Sequence, residues 1–427
     1  MRIKLISFSF VKGGAAIAAR KFEKILNSNG FLVEGISQDN SGKSQFFLRL
    51  ISYVLGLLQI KEEPIKHSLN LFSDQKVLDS FNDKNSIHHF HWINNDTLSV
   101  FSFDKIPDSS IISLHDEWLY CGTEHCCRFS EPIQSIRANY DIDINNLPFI
   151  CGYSNSIITR DGVNWKYLIW REKYKRLSSR GDLIFTVPST WMLQRAKASL
   201  ILKGKDVRVL PNPIDTSVFS PSNRVSEIRG RYGLYNSDIV LTFGAVDGNR
   251  NPAKGAQSML EALDILPKLI KPELINKIKL VMFGTKSKAE VKTPFNCFEI
   301  GHISDPHELA EIYAMSDCVI VPSYVESFGQ VAAEAQACGV PVVAFATSGI
   351  TDVVVDKQTG LLAEPFSSMS LAQKIAEIIT LDSEQINAYS SAARLHVLNS
   401  FSYDVVAKKY IDIVNEAISK KNVIKEV

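Results

Sequence analysis

The 427-residue sequence has no charge bias: Lys and Arg total 47, Asp and Glu 46, and the formal net charge is +1. That balance excludes a global attraction to nucleic acid and leaves only local patches for anionic partners. No apolar run reaches the roughly 20 residues needed to cross a bilayer. The best candidate, 46–60, is interrupted by Arg49, Ser52 and Gly56 and reads as a core or interface helix, with membrane-surface contact the weaker reading. The opening M-R-I-K and the apolar residues 5–11 do not make a secretory leader. Lys12 ends that run at the lower limit for such a segment, and a buried strand entering a glycine turn accounts for it. The seven cysteines are odd in number and lack a disulfide-framework spacing, which favours a reducing, cytoplasmic setting. Internal repeats, low-complexity tracts and an aspartate-rich metal motif are also missing.

What remains is a soluble-type composition, 45% apolar and 22% charged, on a chain too long for one ordinary domain. Strand-like segments at 2–10, 31–37, 87–93, 111–115, 183–187 and 207–210 alternate with helix-like segments such as 15–29, 165–177 and 191–202. A second alternating series begins near Asp238, with strands expected at 239–244, 279–283, 318–322 and 340–344. Helices are expected there at 254–266, 306–315 and 330–337. The runs 318–321 and 340–345 show no in–out alternation, as expected of parallel strands covered on both faces. The fold class is therefore α/β, with two Rossmann-like domains expected at 1–213 and 214–400. Pro211-Asn212-Pro213 marks the hinge, and a last helical segment, 401–427, is expected to reach back to the first domain. Two such sheets in tandem leave a cleft at the carboxyl ends of their strands, where open α/β sheets bind ligands.

The most informative stretch is 323–352, S-Y-V-E-S-F-G-Q-V-A-A-E-A-Q-A-C-G-V-P-V-V-A-F-A-T-S-G-I-T-D. If a helix begins near Phe328, Glu326 lies in the loop before it and Glu334 sits more than a turn inside. The N–H groups at Ser327, Phe328, Gly329 and Gln330 then form an anion site, and Gly329 allows close approach. Carboxylates suit sugar hydroxyls because each oxygen accepts hydrogen bonds. By themselves two glutamates at this spacing also fit a helix cap and a solvated side chain.

This stretch resembles the E-x7-E signature of the large retaining family of GT-B glycosyltransferases known as glycosyltransferase family 4. The resemblance includes G-H-I-S-D (301–305), L-A-E-I-Y-A-M-S-D-C-V-I-V-P-S (309–323), A-C-G-V-P-V-V-A (337–344) and T-G-L-L (359–362). Upstream, V-L-P-N-P-I-D-T-S-V-F-S-P (209–221) matches the family's interdomain stretch. It implies a GT-B fold, two Rossmann-like domains facing across a cleft. In it Glu334 holds the ribose hydroxyls of the nucleotide, Glu326 sits by the donor sugar, and the backbone around His302 and Ile303 meets the base. Arg250 and Lys254, within G-A-V-D-G-N-R-N-P-A-K-G, resemble the basic pair that clamps the donor diphosphate. Many relatives place the arginine directly after the first glycine, whereas Ala245 stands there here.

In the first domain, Gly13 and Gly14 follow a strand and open a helix, a junction at which main-chain N–H groups approach a phosphate or sugar. His115 follows the strand 111–114 and resembles the family's histidine that hydrogen-bonds the donor sugar. A core histidine at a strand end is the alternative. The run H-D-E-W-L-Y-C-G-T-E-H-C-C raises a zinc question for Cys121, His125, Cys126, Cys127 and Cys151, but no paired C-x-x-C is present and buried thiols are expected. His89 and His91 share one face of their strand, where they either meet the acceptor or pack. The segment 160–176 interleaves cations with aromatics and fits either an anionic membrane surface or a solvated helix whose aromatics point inward.

The expected activity is retaining transfer of a sugar from a nucleoside-diphosphate sugar to an acceptor hydroxyl. The resemblance implies a lipid-linked oligosaccharide acceptor in bacterial surface polysaccharide synthesis, and an enzyme that is cytoplasmic or peripheral on the inner face of the membrane. Catalytic roles are expected for Glu326, His115 and Lys254. No metal or other cofactor is expected. Rival readings are a nucleotide-sugar epimerase or sugar phosphorylase of the same architecture, and a noncatalytic nucleotide-sugar-binding subunit.

Overall fold

The computed structural model describes residues 2–59, 66–126, 147–155, 157–159, 162–244, 252–284 and 292–426. Arg250 and Cys127 lie outside them. The chain divides into two compact units, residues 1–211 with 407–427, and residues 212–406. Among the described residues, no helix is long and apolar enough to cross a membrane.

The first unit is organised on β1 (Arg2–Ile6), β2 (Leu32–Ile36), β3 (Ile87–Phe90), β4 (Ile111–Ser113), β5 (Ile184–Val187) and β6 (Asp206–Val209). Their order is β2-β1-β3-β4-β5-β6, and each neighbouring pair is parallel. Ile3 pairs with Val33 on one side and Ile87 on the other, so β1 is an interior strand and the strand order reverses beside it. Helix α1 (Gly14–Ser28) buries Ala16, Ala19, Phe22 and Leu26, the three-and-four spacing of one helical face. Burying a side chain such as Phe22 contributes about 1.5–3 kcal/mol.

Of the two readings given to 46–60, core helix or interface helix, helix α2 (Lys43–Gly56) does not fit the first. Its buried residues are Gln45 and Ser52, while Phe46, Phe47, Leu50, Ile51 and Val54 are exposed. The cause is Asp96: Ser52 Oγ donates to Asp96 Oδ1 at 2.9 Å, and Gln45 Nε2 donates to its carbonyl at 2.7 Å. The apolar run suggested a helix but not the face that turns inward. Helix α3 (Trp165–Leu177) divides its basic and aromatic residues. Trp170 and Lys173 are buried, and Arg171 and Lys175 are exposed. The Lys173 ammonium donates to the carbonyls of Trp118 and Gly122, and burial pulls its pKa down to about 7. The C-terminal helix runs over Tyr403–Glu426. Within the first unit its Tyr410 packs edge-on against Phe22, and Lys421 Nζ donates to Ser86 O at 2.5 Å.

The second unit carries β7 (Ile239–Gly244), β8 (Ile278–Phe283), β9 (Asn296–Gly301), β10 (Cys318–Val321), β11 (Val342–Phe345) and β12 (Gly360–Ala363). Their order is β9-β8-β7-β10-β11-β12, again parallel throughout. Every residue of β10 and β11 is buried, which accounts for their unbroken apolar sequences. The strand order reverses between β7 and β10. Helix α4 (Gln330–Ala337) follows the loop that leaves β10.

Candidate functional site

At the reversal point of the second sheet, the chain returns through the short turn Pro252–Lys254. Gly255 follows with φ +68°, and a Cβ on it would stand 1.8 Å from Pro322 O. Only glycine permits that approach of two backbones. Tyr324 N donates to Ala253 O at 2.8 Å, which ties the turn to the loop after β10. The result is a direct ion pair: Lys254 Nζ lies 2.5 Å from Glu326 Oε1. Ser323 Oγ donates to the same oxygen at 2.9 Å.

The loop bearing Glu326 is held from the far side. Glu326 N donates to Ser348 Oγ at 2.8 Å, and Gly349 N donates to Glu326 O at 2.9 Å. A Cβ on Gly349 would stand 2.4 Å from Ser327 O and 2.9 Å from Glu326 O. The substitution Gly349→Ala is therefore expected to displace this loop and destabilise the chain by about 1–3 kcal/mol. Chemical denaturation measures this, and an unchanged midpoint would show that the loop yields freely.

Helix α4 begins at Gln330, with Gly329 as its N-cap at φ +102°. The first-turn N–H groups have no intrahelical partners, which makes this end receptive to an anion. Phe328 is 3% exposed and packs edge-on against Phe401. Its side chain serves the core, leaving its backbone for the site. Glu334 is 8% exposed and accepts from Gln330 Nε2 at 2.6 Å. It is not a solvated surface carboxylate. Burial, then the charge of Glu334, pushes the Cys338 thiol up to about 12. His302 and Ile303 sit on the segment leaving β9, after Gly301 at φ +84°.

In the first unit, Gly13 caps α1 at φ +94°, and a Cβ on Gly13 or Gly14 would meet nothing within 4 Å. Conformation requires glycine at Gly13 alone; both positions remain open to approach. His115 follows β4 and shares a 3.0 Å hydrogen bond with His91. His89 is fully buried between Tyr410 OH at 2.6 Å and Ser113 Oγ at 2.8 Å. Thus His89 and His91 are packed residues, and His91 carries the network on to His115. Burial pushes His115 and His88 down to about 4 and His89 down to about 3. Beside His115, burial alone would raise Asp116. His125 Nδ1 at 2.6 Å and the Trp92 indole N–H at 2.8 Å outweigh it and bring its pKa to about 2.

His125 shares its other nitrogen with Ser68 Oγ at 2.8 Å, so both ring nitrogens are engaged. Among the described residues, no group of three His, Cys, Asp or Glu side chains is placed to hold a metal ion. Sequence reasoning missed Ser323, Ser348 and Gly349 as supports of Glu326, although all three stand in the quoted 323–352 stretch. It also missed the Trp92–Asp116–His125 network, whose partners are polar residues scattered over two loops.

The structure thus brings Lys254 and Glu326 into contact, with Ser327, Gly329 and Glu334 following on the same loop and helix. Residues 231–396 match the family model of glycosyl transferases group 1. A D-inositol 3-phosphate glycosyltransferase of Stackebrandtia nassauensis is 32% identical over 229 residues, covering 51% of this chain and 50% of that protein. The chain spans about half the length of the curated relatives it matches. Sucrose-phosphate synthase of Thermosynechococcus elongatus is similar in structure, with a TM-score of 0.65 at 16% identity over 98% of this chain and 99% of that one. Anabaena HepE, solved with UDP and glucose, gives a TM-score of 0.59 at 15% identity over 97% and 100%. At such identities the likeness concerns fold. The two parallel six-stranded sheets and these neighbours make the architecture GT-B, and within its second unit residues 231–396 are similar to glycosyl transferases group 1.

Proposed function

We propose that the chain is a retaining glycosyltransferase that moves a sugar from a nucleoside-diphosphate sugar to an acceptor hydroxyl. The acceptor in this reading is a lipid-linked oligosaccharide of bacterial surface polysaccharide synthesis, met at the inner face of the membrane. The observation that carries the proposal is the Lys254–Glu326 pair beside the amino end of α4, with Glu334 one turn further on. The names of the curated relatives support glycosyl transfer, and the UDP and glucose bound by HepE support a nucleotide-sugar donor.

The chemistry follows from charge. Breaking the bond between the anomeric carbon and the phosphate oxygen leaves negative charge on the diphosphate, which the Lys254 ammonium and the N–H groups from Ser327 to Gln330 stabilise as it develops. These groups stand in for a divalent cation. Glu326 receives both Lys254 and Ser323 on Oε1, which fixes the carboxylate beside the donor sugar and its developing positive charge. Glu334 takes the ribose hydroxyls. The departing phosphate oxygen accepts the acceptor's proton as the new carbon–oxygen bond forms on the same face, so the configuration is retained. Roles for His115, Gly13, Gly14, Arg250, His302 and Ile303 at the donor belong to the same proposal.

A donor screen tests it. One UDP- or GDP-sugar is expected to raise the melting temperature by several degrees, since a ligand at about 100 times its Kd stabilises the folded state by about 2.7 kcal/mol. The product's anomeric configuration, read by NMR, is expected to match the donor's. Inversion, epimerisation of the donor without acceptor, or a requirement for free phosphate would contradict the proposal.

A further inference from the structure

Helix α4 is sunk into the second unit along most of its length. Ala332, Ala333, Ala335, Gln336 and Ala337 are buried, and Gln330 and Val331 alone keep partial exposure on this helix. Glu334 therefore stands in a row of small apolar side chains, where a carboxylate is costly unless it accepts hydrogen bonds. Two of its buried neighbours are neutral. Tyr313 is fully buried, and burial first, then the charge of Glu334, pushes its phenol well above the ordinary value. The Cys338 thiol is raised by the same causes in the same order. Both groups stay protonated and bring no second charge to the carboxylate.

Gln330 meets Glu334 from the opening turn of the helix. Residues four apart share a helix face, and Gln330 Nε2 donates to Glu334 Oε1 at 2.6 Å. An ionised carboxylate only accepts, so the amide nitrogen is the end that faces it. The neutrality of this donor matters. A lysine or arginine at the same position would tie up the carboxylate's charge in an ion pair. An amide fixes the orientation and leaves that charge for the hydroxyl groups of a ligand, which bond to an ionised acceptor more strongly than to a neutral one. Gln330 is half-buried and Glu334 is 8% exposed, so the pair is shielded from the water that would otherwise compete for both groups.

We infer that Gln330 is a positioning residue: it holds Glu334 Oε1 so that the carboxylate recognises the vicinal hydroxyls of a ribose, and it thereby makes the second unit select ribonucleotides against their deoxyribose counterparts. The inference rests on the donor reading of Glu334 and adds to it the residue that sets the selectivity.

Calorimetric titration of the full chain with UDP, with GDP and with the dideoxyribose analogue of each tests it, alongside pyrophosphate as a probe without a sugar. The nucleotide that binds is expected to do so about thirtyfold tighter than its dideoxy analogue, because the analogue leaves a buried charged acceptor unpaired. Gln330→Met, an unbranched side chain of similar helix propensity, should reduce that preference to about threefold while leaving pyrophosphate affinity and the melting temperature nearly unchanged. In sugar transfer the same variant should raise the donor's KM about tenfold with little change in kcat, the mark of lost ground-state binding. Gln330→Lys still reaches Glu334 but neutralises it, and it should lose the preference as well. A native chain that binds both forms equally, a preference that survives either substitution, or pyrophosphate binding that weakens as much as nucleotide binding would overturn the inference. Glu334→Gln separates the two readings. A preference lost in Glu334→Gln but kept in Gln330→Met removes this inference alone. A preference that survives Glu334→Gln, or no nucleotide binding at all, removes the donor reading of Glu334 and the inference with it.

Discussion

Replacing Lys254 or Glu326 with alanine is expected to lower the rate of sugar transfer about a hundred- to a thousandfold while leaving the fold intact. The magnitude is that of removing one fixed group that stabilises charge appearing only in the transition state. The mildness of the structural effect follows from exposure. The Lys254 and Glu326 side chains are 29% and 19% exposed, and a pair screened by solvent to that degree contributes at most about 1 kcal/mol to folding. The two variants should differ in character. Lys254→Ala removes the cation proposed to meet the diphosphate, so it should weaken UDP binding as well as slow the chemistry. Glu326→Ala should leave UDP binding nearly unchanged, because its proposed partner is the sugar. Steady-state kinetics with the matched donor, alongside UDP titration and thermal unfolding, read these effects. Wild-type turnover in either variant would remove the catalytic assignment.

The first unit is expected to lose stability steeply as pH falls from about 6.5 to about 4. His88, His89, His91 and His115 are neutral in the folded chain because burial opposes their charge, with folded pKa values of about 4 for His88 and His115 and about 3 for His89. His91 is held well below the ordinary imidazole value, by burial first and then by His89 and His115. In the unfolded chain each takes up a proton near pH 6.5. Within this window the unfolded state therefore binds more protons, and the free energy of unfolding decreases as the pH is lowered. Each such histidine contributes up to about 1.4 kcal/mol per pH unit. Asp116 stays charged throughout, since His125 and Trp92 hold its pKa at about 2. Urea denaturation at pH 7.5, 6 and 5 measures the slope. His88→Gln removes one titrating group and should shrink it by about a quarter. A midpoint that does not move between pH 7.5 and 5 would contradict this account of the buried histidines.

How much of this was legible in the sequence depends on how far apart the partners lie. The unbroken apolar strands β10 and β11 announced a parallel sheet, because only strands covered on both faces tolerate such runs. The edge strand β9 did not, since its residues are largely half-exposed and its register slips beside Phe283. Lys254 and Glu326 were each singled out, but their contact spans 72 positions and no local pattern records it. The same holds for His89 and Tyr410, 321 positions apart. Their hydrogen bond explains why a strand histidine can be fully buried, a fact that alternation alone leaves open between packing and ligand contact. The outward-facing stripe of α2 was illegible for another reason. Its inward residues were chosen by Asp96, a single loop carboxylate, and not by hydropathy.

The most direct test of the account is a crystal structure of the chain with its nucleoside-diphosphate sugar. The diphosphate is expected within hydrogen-bonding distance, about 2.7–3.2 Å, of Lys254 Nζ and the N–H groups opening α4. The ribose should lie on Glu334 and the sugar beside Glu326. A donor bound away from these groups, or Lys254 still paired only with Glu326 and facing no phosphate, would contradict it.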